Sequence, residues 1–180
     1  DWDVDFAVWC HYKYLNSGPG SIAGAFVNKR HLGQSDIPRF EGWWGHDKIT
    51  RFKMQGQFIP MNTAEAWQLS NAPVFSMAPL LASLDLYDSA GIDRLREKSI
   101  NLTAYLEFLL NNINSERIKI ITPKDPEQRG CQLSIQVKNA DKSLYNAITE
   151  RGVIADWREP DVIRVAPVPL YNSYHDCWKF

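Results

Sequence analysis

The pattern of apolar and polar positions in the first half of the chain predicts two short strands and then a long irregular stretch. The first strand, at residues 6–10, is a nearly continuous apolar run, so we expect it to be buried on both faces. The second strand is predicted at residues 23–27, after a turn rich in Gly, Pro and Asn. From about residue 29 to 71 the periodicity is poor, which predicts an irregular region of the kind that often carries function.

Helical and strand patterns follow one another in the second half. Helices are predicted at about 73–87 and 92–112, each with one face on a core, the second through Leu95, Leu102, Leu106, Leu109 and Ile113. Asp141 suits an N-cap and Gly152 a residue just past a helix end. The remaining prediction is strands at 117–121 and 132–137, a helix at 141–151, strands at 153–157 and 162–166, and the opening of a helix cut short at 172–180.

We place a domain boundary near residue 90, so that residues 1–90 end one domain and residues 91–180 form a small α/β domain. Because the chain starts at Asp1 rather than Met and its last helix looks cut short, we expect a fragment of a longer protein.

Composition narrows the class of protein. With 180 residues, 44% hydrophobic and 23% charged, the sequence is typical of a folded, soluble chain. A net charge of -1 without a basic stripe gives no reason to expect a nucleic-acid partner, and no apolar run is long enough to predict a membrane span. The three cysteines, Cys10, Cys131 and Cys177, are widely separated, which favours a reducing, cytosolic setting.

Lys13 follows the first predicted strand and stands between Tyr12 and Tyr14. A lysine at the end of an apolar strand is partly desolvated, which disfavours the ammonium form and makes the amine available as a nucleophile or base. A lysine that forms a Schiff base must have its amine available in this unprotonated form. A surface lysine at a strand end is the alternative, and the neighbouring residues alone leave both open.

Residues 42–46, G-W-W-G-H, place Trp43 and Trp44 between two glycines. Such a pair suggests a flat aromatic wall that backbone or ligand approaches closely, with indole N–H groups as donors. A hydrophobic anchor in a subunit interface would use the same residues.

Two polar residues are further candidates. Asn71 stands with Ser70 before a predicted helix, where it could form part of an anion site at the helix N-terminus or be a plain cap. Arg164 projects from an otherwise apolar strand, and its planar guanidinium suits a carboxylate. A solvated arginine at a sheet edge is the alternative reading of Arg164.

Several familiar sites are not supported. Gly18, Gly20 and Gly24 have the spacing G-x-G-x-x-x-G and precede a predicted strand, which excludes a dinucleotide fingerprint. The four histidines have no H-E-x-x-H spacing, paired C-x-x-C motifs are absent, and so is a G-x-S-x-G elbow. We therefore predict neither a metal site nor a serine triad.

Motifs spread along the whole chain resemble the kynureninase family. They are W-C-H-Y-K-Y-L-N-S-G-P-G at 9–20, G-W-W-G-H at 42–46, T-R-F-K-M at 50–54, Q-L-S-N at 68–71, R-G-C-Q-L at 129–133 and I-R-V-A-P-V-P-L-Y-N-S at 163–173. Several long motifs in one order are far more specific than any single motif, so the chain is identified as a member of this family.

The resemblance implies a fold and a set of site residues. The fold would be the end of the large domain of a pyridoxal-phosphate enzyme of the aminotransferase-like fold (type I), followed by a small C-terminal α/β domain. Lys13 matches the lysine that holds the cofactor as a Schiff base, and Tyr12 matches a tyrosine that contacts the cofactor phosphate and transfers protons. Trp43 and Asn71 match cofactor-site positions that also meet the substrate, across the interface of a homodimer. Arg164 matches the arginine that binds the substrate α-carboxylate.

The implied reaction is hydrolysis of the Cβ–Cγ bond of L-kynurenine or 3-hydroxykynurenine. Its products would be L-alanine and anthranilate or 3-hydroxyanthranilate, in tryptophan degradation and NAD precursor synthesis. Pyridoxal phosphate would be the electron sink while the protein orients the scissile bond. Lys13 would move the α-proton, and Tyr12 would protonate the nascent alanine.

Other cofactor residues of the family precede the position that matches Asp1. They are the phosphate-binding loop, an aromatic residue stacked on the pyridine ring and an aspartate paired with the pyridinium nitrogen. We therefore expect the 180 residues alone not to turn over substrate. A non-catalytic fragment or assembly partner is one alternative. Another is a related pyridoxal-phosphate lyase such as a cysteine desulfurase, although neither Cys131 nor Cys177 offers the catalytic cysteine on a mobile loop that such an enzyme needs.

Overall fold

The computed structural model describes residues 2–54 and 56–180. They form two compact units that divide between Leu86 and Tyr87, close to the boundary expected near residue 90. The assignment of these parts to a large cofactor-binding domain and a small domain stays a prediction. Among the described residues, no helix is both long and apolar enough to cross a membrane.

The first unit begins with a two-stranded antiparallel sheet. Strands β1, Phe6–Cys10, and β2, Ala23–Val27, form at the predicted positions and pair with each other. The expected burial of β1 on both faces is wrong, because four of its five residues are exposed and Val8 is 82% exposed. A sheet of only two strands has no further layer of its own to cover these apolar side chains.

The long region after β2 is irregular, as predicted. Its only regular elements among the described residues are single 3-10 turns at Lys29–His31, Trp43–Gly45 and Ala64–Trp67. A single antiparallel bridge pairs His46 with Pro60 and holds two parts of this region together.

Helix α1, Val74–Ala90, confirms the first predicted helix but not its packing. Of its residues only Ser83 and Tyr87 are buried, and its apolar residues are spread around the helix instead of forming one stripe that packs on a core. Pro73 stands immediately before the helix, and its carbonyl accepts the first backbone bonds, so the cap expected from Ser70 and Asn71 is wrong.

The second unit is an antiparallel sheet with helices. The sheet has the strand order β3-β4-β6-β5. In chain order the elements are α2 Ile92–Asn112, β3 Ile118–Ile120, β4 Leu133–Val137, α3 Lys142–Glu150, β5 Asp156–Arg158, β6 Val162–Val165 and α4 Tyr174–Lys179.

One face of α2 packs on this sheet and forms the core of the unit. The buried core residues are Leu102, Leu106, Leu110, Leu133, Ile135, Ile163, Val165 and Cys177. Leu95, Leu102 and Leu106 lie on the buried face as predicted. The inclusion of Ile113 is wrong, because it is exposed at the helix end and Leu110 takes the core position one turn earlier.

The predicted ends of α3 are confirmed. Asp141 accepts a hydrogen bond from the Ser143 N–H as the N-cap, and Gly152 follows the helix with a φ of 86°. The Val153 N–H still bonds to the Ile148 carbonyl, so the next strand begins at Asp156 rather than 153 as predicted.

The helix opening predicted near the end of the sequence is confirmed as α4. Ser173 and Asp176 form a capping box, in which each side chain accepts a hydrogen bond from the backbone N–H of the other.

Candidate functional site

Lys13 lies in a tight loop directly after β1. The Asn16 N–H donates to the Lys13 carbonyl at 2.9 Å, and the Ser17 N–H donates to the His11 carbonyl at 3.2 Å. Gly18, at a φ of 77°, continues the turn in a backbone conformation that favours glycine. These bonds fix the loop while its lysine side chain points outward.

The side chains of Lys13 and Tyr12 are both exposed and lie beside each other. The Lys13 Nζ is 5.5 Å from the centre of the Tyr12 ring. The desolvation expected for Lys13 is not found in this unit, because β1 itself is exposed. The Ser83 hydroxyl of α1 donates to the Leu15 carbonyl, which anchors the loop to the helix.

Two buried polar groups flank Lys13, and sequence reasoning missed both. The indole N–H of Trp9 donates to His11 Nε2 at 2.8 Å, so the proton of a neutral His11 ring is on Nδ1. His11 Nδ1 and Ser17 Oγ are buried without hydrogen-bond partners among the described residues. The signal in the sequence was their position, two residues before and four residues after the lysine.

Trp43 and Trp44 form an aromatic corner in the irregular region. Their rings meet edge to face with centroids 5.2 Å apart. A Cβ on Gly42 would lie 2.1 Å from the Leu69 Cα, so the glycine allows backbone, not a ligand, to approach this segment. Asn71 is exposed and follows two residues after Leu69. The fold thus brings the segment containing Asn71 beside the segment containing Trp43.

Arg51 holds the tryptophan pair in place. Its guanidinium lies 4.9 Å from the Trp44 ring centre and 5.5 Å from that of Trp43. The same group donates to the carbonyls of Trp44 and His46, the latter at 3.1 Å. Sequence reasoning gave Arg51 no role, because nothing in the pattern of an irregular region shows which rings an arginine seven or eight positions away will meet.

His46 is buried below this corner with both ring nitrogens in use. The Ile59 N–H donates to Nδ1 at 3.3 Å, so Nε2 carries the proton and donates to the Thr50 hydroxyl at 3.0 Å. Thr50 donates in turn to Asp47 at 2.9 Å, and this hydrogen bond holds the pKa of the Asp47 carboxyl below its ordinary value. The chain of bonds fixes the segment that carries the tryptophans.

Arg164 belongs to the second unit, on β6 directly opposite Asp156 of β5. Its Nε donates to Asp156 Oδ2 at 3.0 Å, and its Nη2 donates to the same oxygen. Arg158 Nη2 is 2.9 Å from that oxygen as well. The carboxylate that the sequence predicted for Arg164 is therefore supplied, in part, by the protein itself.

The other four predicted site residues, Lys13, Tyr12, Trp43 and Asn71, belong to the first unit. Within the described ranges 2–54 and 56–180, no group of three or more His, Cys, Asp or Glu side chains is arranged to hold a metal ion. The candidate residues thus offer four kinds of group to a ligand: the amine of Lys13, the phenol of Tyr12, the aromatic corner at Trp43 and the guanidinium of Arg164.

Comparison with known proteins gives a consistent family. Residues 95–180 match the family model of the kynureninase C-terminal domain. The chain is 57% identical to the kynureninase of Koribacter versatilis over 180 residues, covering 100% of this chain and 42% of that protein. It is 53% identical to the kynureninase of Salinispora tropica, covering 99% of this chain and 42% of that protein. The chain thus spans less than half the length of these relatives.

Solved structures share the fold at much lower identity. A complex of the cystine C-S lyase C-DES with cysteine persulfide matches with a TM-score of 0.76 and 16% identity, covering 97% of this chain and 44% of that chain. The apo cysteine desulfurase of Thermococcus onnurineus matches with a TM-score of 0.74 and 12% identity, covering 98% and 45%. These matches confirm the predicted pyridoxal-phosphate enzyme fold of type I. The family-model match and the identities of 57% and 53% along essentially the whole chain show that it belongs to the kynureninase family, as its C-terminal part.

Proposed function

We propose that the protein containing this chain is a kynureninase, a hydrolase that cleaves the Cβ–Cγ bond of L-kynurenine or 3-hydroxykynurenine. The products are L-alanine and anthranilate or 3-hydroxyanthranilate. The observation that carries the proposal is identity of 50–57% to relatives named kynureninase along essentially the whole chain. The chain spans about 42% of the length of the first two of these relatives. The structure therefore describes only the active-site residues that this part of the protein would contribute.

The proposed cofactor is pyridoxal phosphate, and the residues around Lys13 fit it. An exposed primary amine is the group that binds an aldehyde, and the buried His11 Nδ1 and Ser17 Oγ beside it have no hydrogen-bond partner in the part of the chain that the structure describes. When bound, the cofactor supplies the electron sink for carbon–carbon cleavage. Lys13 would hold the cofactor through Nζ and would move the substrate α-proton. Tyr12 would contact the cofactor phosphate, and its hydroxyl would donate a proton to the alanine product.

Trp43 and Asn71 are proposed to contact both cofactor and substrate. The two segments that carry them lie side by side, and both side chains are exposed and available to a ligand. The aromatic corner offers a flat apolar surface for the aryl ring of the substrate, and the Asn71 amide offers both donors and an acceptor. We further propose that the enzyme is a cytoplasmic homodimer in which these residues serve the site of the partner subunit.

Arg164 is proposed to bind the substrate α-carboxylate. A guanidinium pairs with a carboxylate through two parallel N–H···O bonds, which gives both attraction and orientation. The apolar neighbours Ile163 and Val165 are buried in the core and hold the strand that presents Arg164. This makes the arginine a fixed anchor rather than a mobile surface charge.

The desulfurase alternative has less support. A desulfurase needs a reactive thiolate, whereas Cys131 and Cys177 are buried and this burial raises the pKa of both thiols. The cysteine desulfurase of known structure shares the fold at only 12% identity, far below the 57% of a kynureninase.

The test is a kynureninase assay on the full-length protein loaded with pyridoxal phosphate. We expect release of anthranilate from L-kynurenine, and a loss of kcat on the order of 10²–10⁴-fold in Lys13→Ala, because the variant lacks both the cofactor anchor and the base. Lys29→Ala, which removes an exposed lysine at the opposite end of the two-stranded sheet, is the matched control and should retain activity. Unchanged turnover in Lys13→Ala, or no turnover of either kynurenine by the wild type, would refute the proposal.

A further inference from the structure

We propose that Asp156 is a positioning residue that orients Arg164 toward the α-carboxylate of an amino-acid substrate. The inference rests on the proposed function, since it assigns a support to the arginine that binds substrate there. It is drawn from the hydrogen bonds between the two side chains and from the pairing of their strands.

The strand register brings the two residues together. Asp156 and Arg164 are directly opposite each other in the antiparallel pair of β5 and β6, so their side chains project from the same face of the sheet. Ile163 and Val165 point the other way, into the core. A one-residue slip would separate the pair, so the buried residues of β6 also secure this contact.

The hydrogen bonds occupy only one edge of the guanidinium. Nε and Nη2 of Arg164 both donate to Asp156 Oδ2, which uses the side edge of the fork. An arginine has five N–H donors. Three N–H groups remain without a partner among the described residues, and two of them, the second N–H of Nη2 and one N–H of Nη1, form the end edge, which can bind a carboxylate through two parallel bonds.

The local charge stays favourable for an anion. Arg158 Nη2 also lies 2.9 Å from Asp156 Oδ2, so a single carboxylate is shared by two guanidinium groups. These three side chains carry a net positive charge, and Asp156 therefore does not cancel the attraction for a second carboxylate. The side chain of Arg164 is 30% exposed, so part of it remains open to a ligand.

In this arrangement Arg164 attracts the substrate carboxylate, and Asp156 orients the guanidinium of Arg164. Without Asp156, the guanidinium could rotate about its long side chain, and the substrate carboxylate would have to order it at an entropic cost. With Asp156, that ordering is present before binding. Asp156 touches no reacting atom and acts only through Arg164.

The experiment measures binding of two ligands that cannot react with the cofactor. The probes are 4-(2-aminophenyl)-4-oxobutanoate and its primary amide, which differ only in the carboxylate and lack the α-amino group. Their dissociation constants are measured by calorimetry on the full-length, cofactor-loaded protein, for the wild type, Asp156→Asn and Asp161→Asn. Asp161 is a second carboxylate near the same strands that contacts Gln136, and it serves as the matched control.

We expect Asp156→Asn to weaken binding of the carboxylate probe by on the order of 10-fold and to leave the amide probe within about twofold. With L-kynurenine, KM should rise while kcat is largely retained, and Asp156→Glu should recover part of the loss. Asp161→Asn should change neither probe.

Two results would overturn the inference. Equal weakening of both probes, or of neither, would show that Asp156 does not act through the carboxylate contact. Tighter binding of the carboxylate probe by Asp156→Asn would show that Asp156 competes with the ligand instead of orienting Arg164. Failure of the proposed function gives a different result, because the wild type would then turn over no kynurenine.

Discussion

At the scale of single residues, the two glycines around the tryptophan pair are explained by backbone packing. A Cβ on Gly45 would lie 2.6 Å from the Ala66 carbonyl oxygen, just as one on Gly42 would meet Leu69. Segment 42–45 thus lies directly on segment 66–69. The sequence indicated a close approach at these glycines, but not whether a ligand or the chain itself makes it.

Gly42→Ala should destabilise the protein by about 1–3 kcal/mol, because the added methyl meets backbone atoms that cannot rotate away. The measurement is the free energy of unfolding in urea. Gly130→Ala is the control, since a Cβ there has nothing within 4 Å. Equal stability of the two variants would contradict the packing described for segment 42–45.

At the scale of elements, a buried ion pair fastens α2 to the connection between β3 and β4. Arg129 Nη2 is 2.7 Å from Glu107 Oε2, and the side chains are only 6% and 14% exposed. Arg129 also donates to the Pro123 carbonyl at 3.1 Å. Arg129 belongs to the R-G-C-Q-L motif, and the structure gives it this packing role.

Glu107→Gln should cost about 3 kcal/mol of stability, because it leaves a buried guanidinium without its counter-charge. Glu65→Gln is the matched control. It breaks an exposed pair with Lys48 at 3.5 Å, with side chains 67% and 48% exposed, and should cost about 0–1 kcal/mol. Chemical unfolding of both variants compares the two values directly, and a Glu107→Gln loss no larger than that of Glu65→Gln would show that the pair is not fastening α2.

The elements themselves followed from local signals where those signals are strong. The cap at Asp141, the glycine after α3 and the apolar spacing of α2 fixed three helix features that the structure confirms. Burial was harder to predict. The apolar runs of β1 and α1 indicated strand and helix correctly, yet both are largely exposed, since burial depends on what covers an element and not on its own sequence.

At the scale of the whole molecule, the sequence predicted which residues form the candidate site, but not which other residues hold their side chains in place. Lys13, Trp43 and Arg164 stood out because their side chains are unusual for their surroundings. The contacts of Asp156 with Arg164 and of Arg51 with the tryptophan pair depend on strand register and loop packing, although the partners are only seven or eight positions apart in the sequence. No local pattern carries that information.

The most direct test of the account is to reduce the full-length, cofactor-loaded protein with borohydride and map the labelled peptide. Reduction fixes the cofactor to the lysine that holds it, so the label reports the residue without any assay of turnover. We predict a single labelled peptide carrying the modification on Lys13. A label on another lysine, or one spread over many surface lysines, would contradict the assignment of Lys13 and with it the proposed active site.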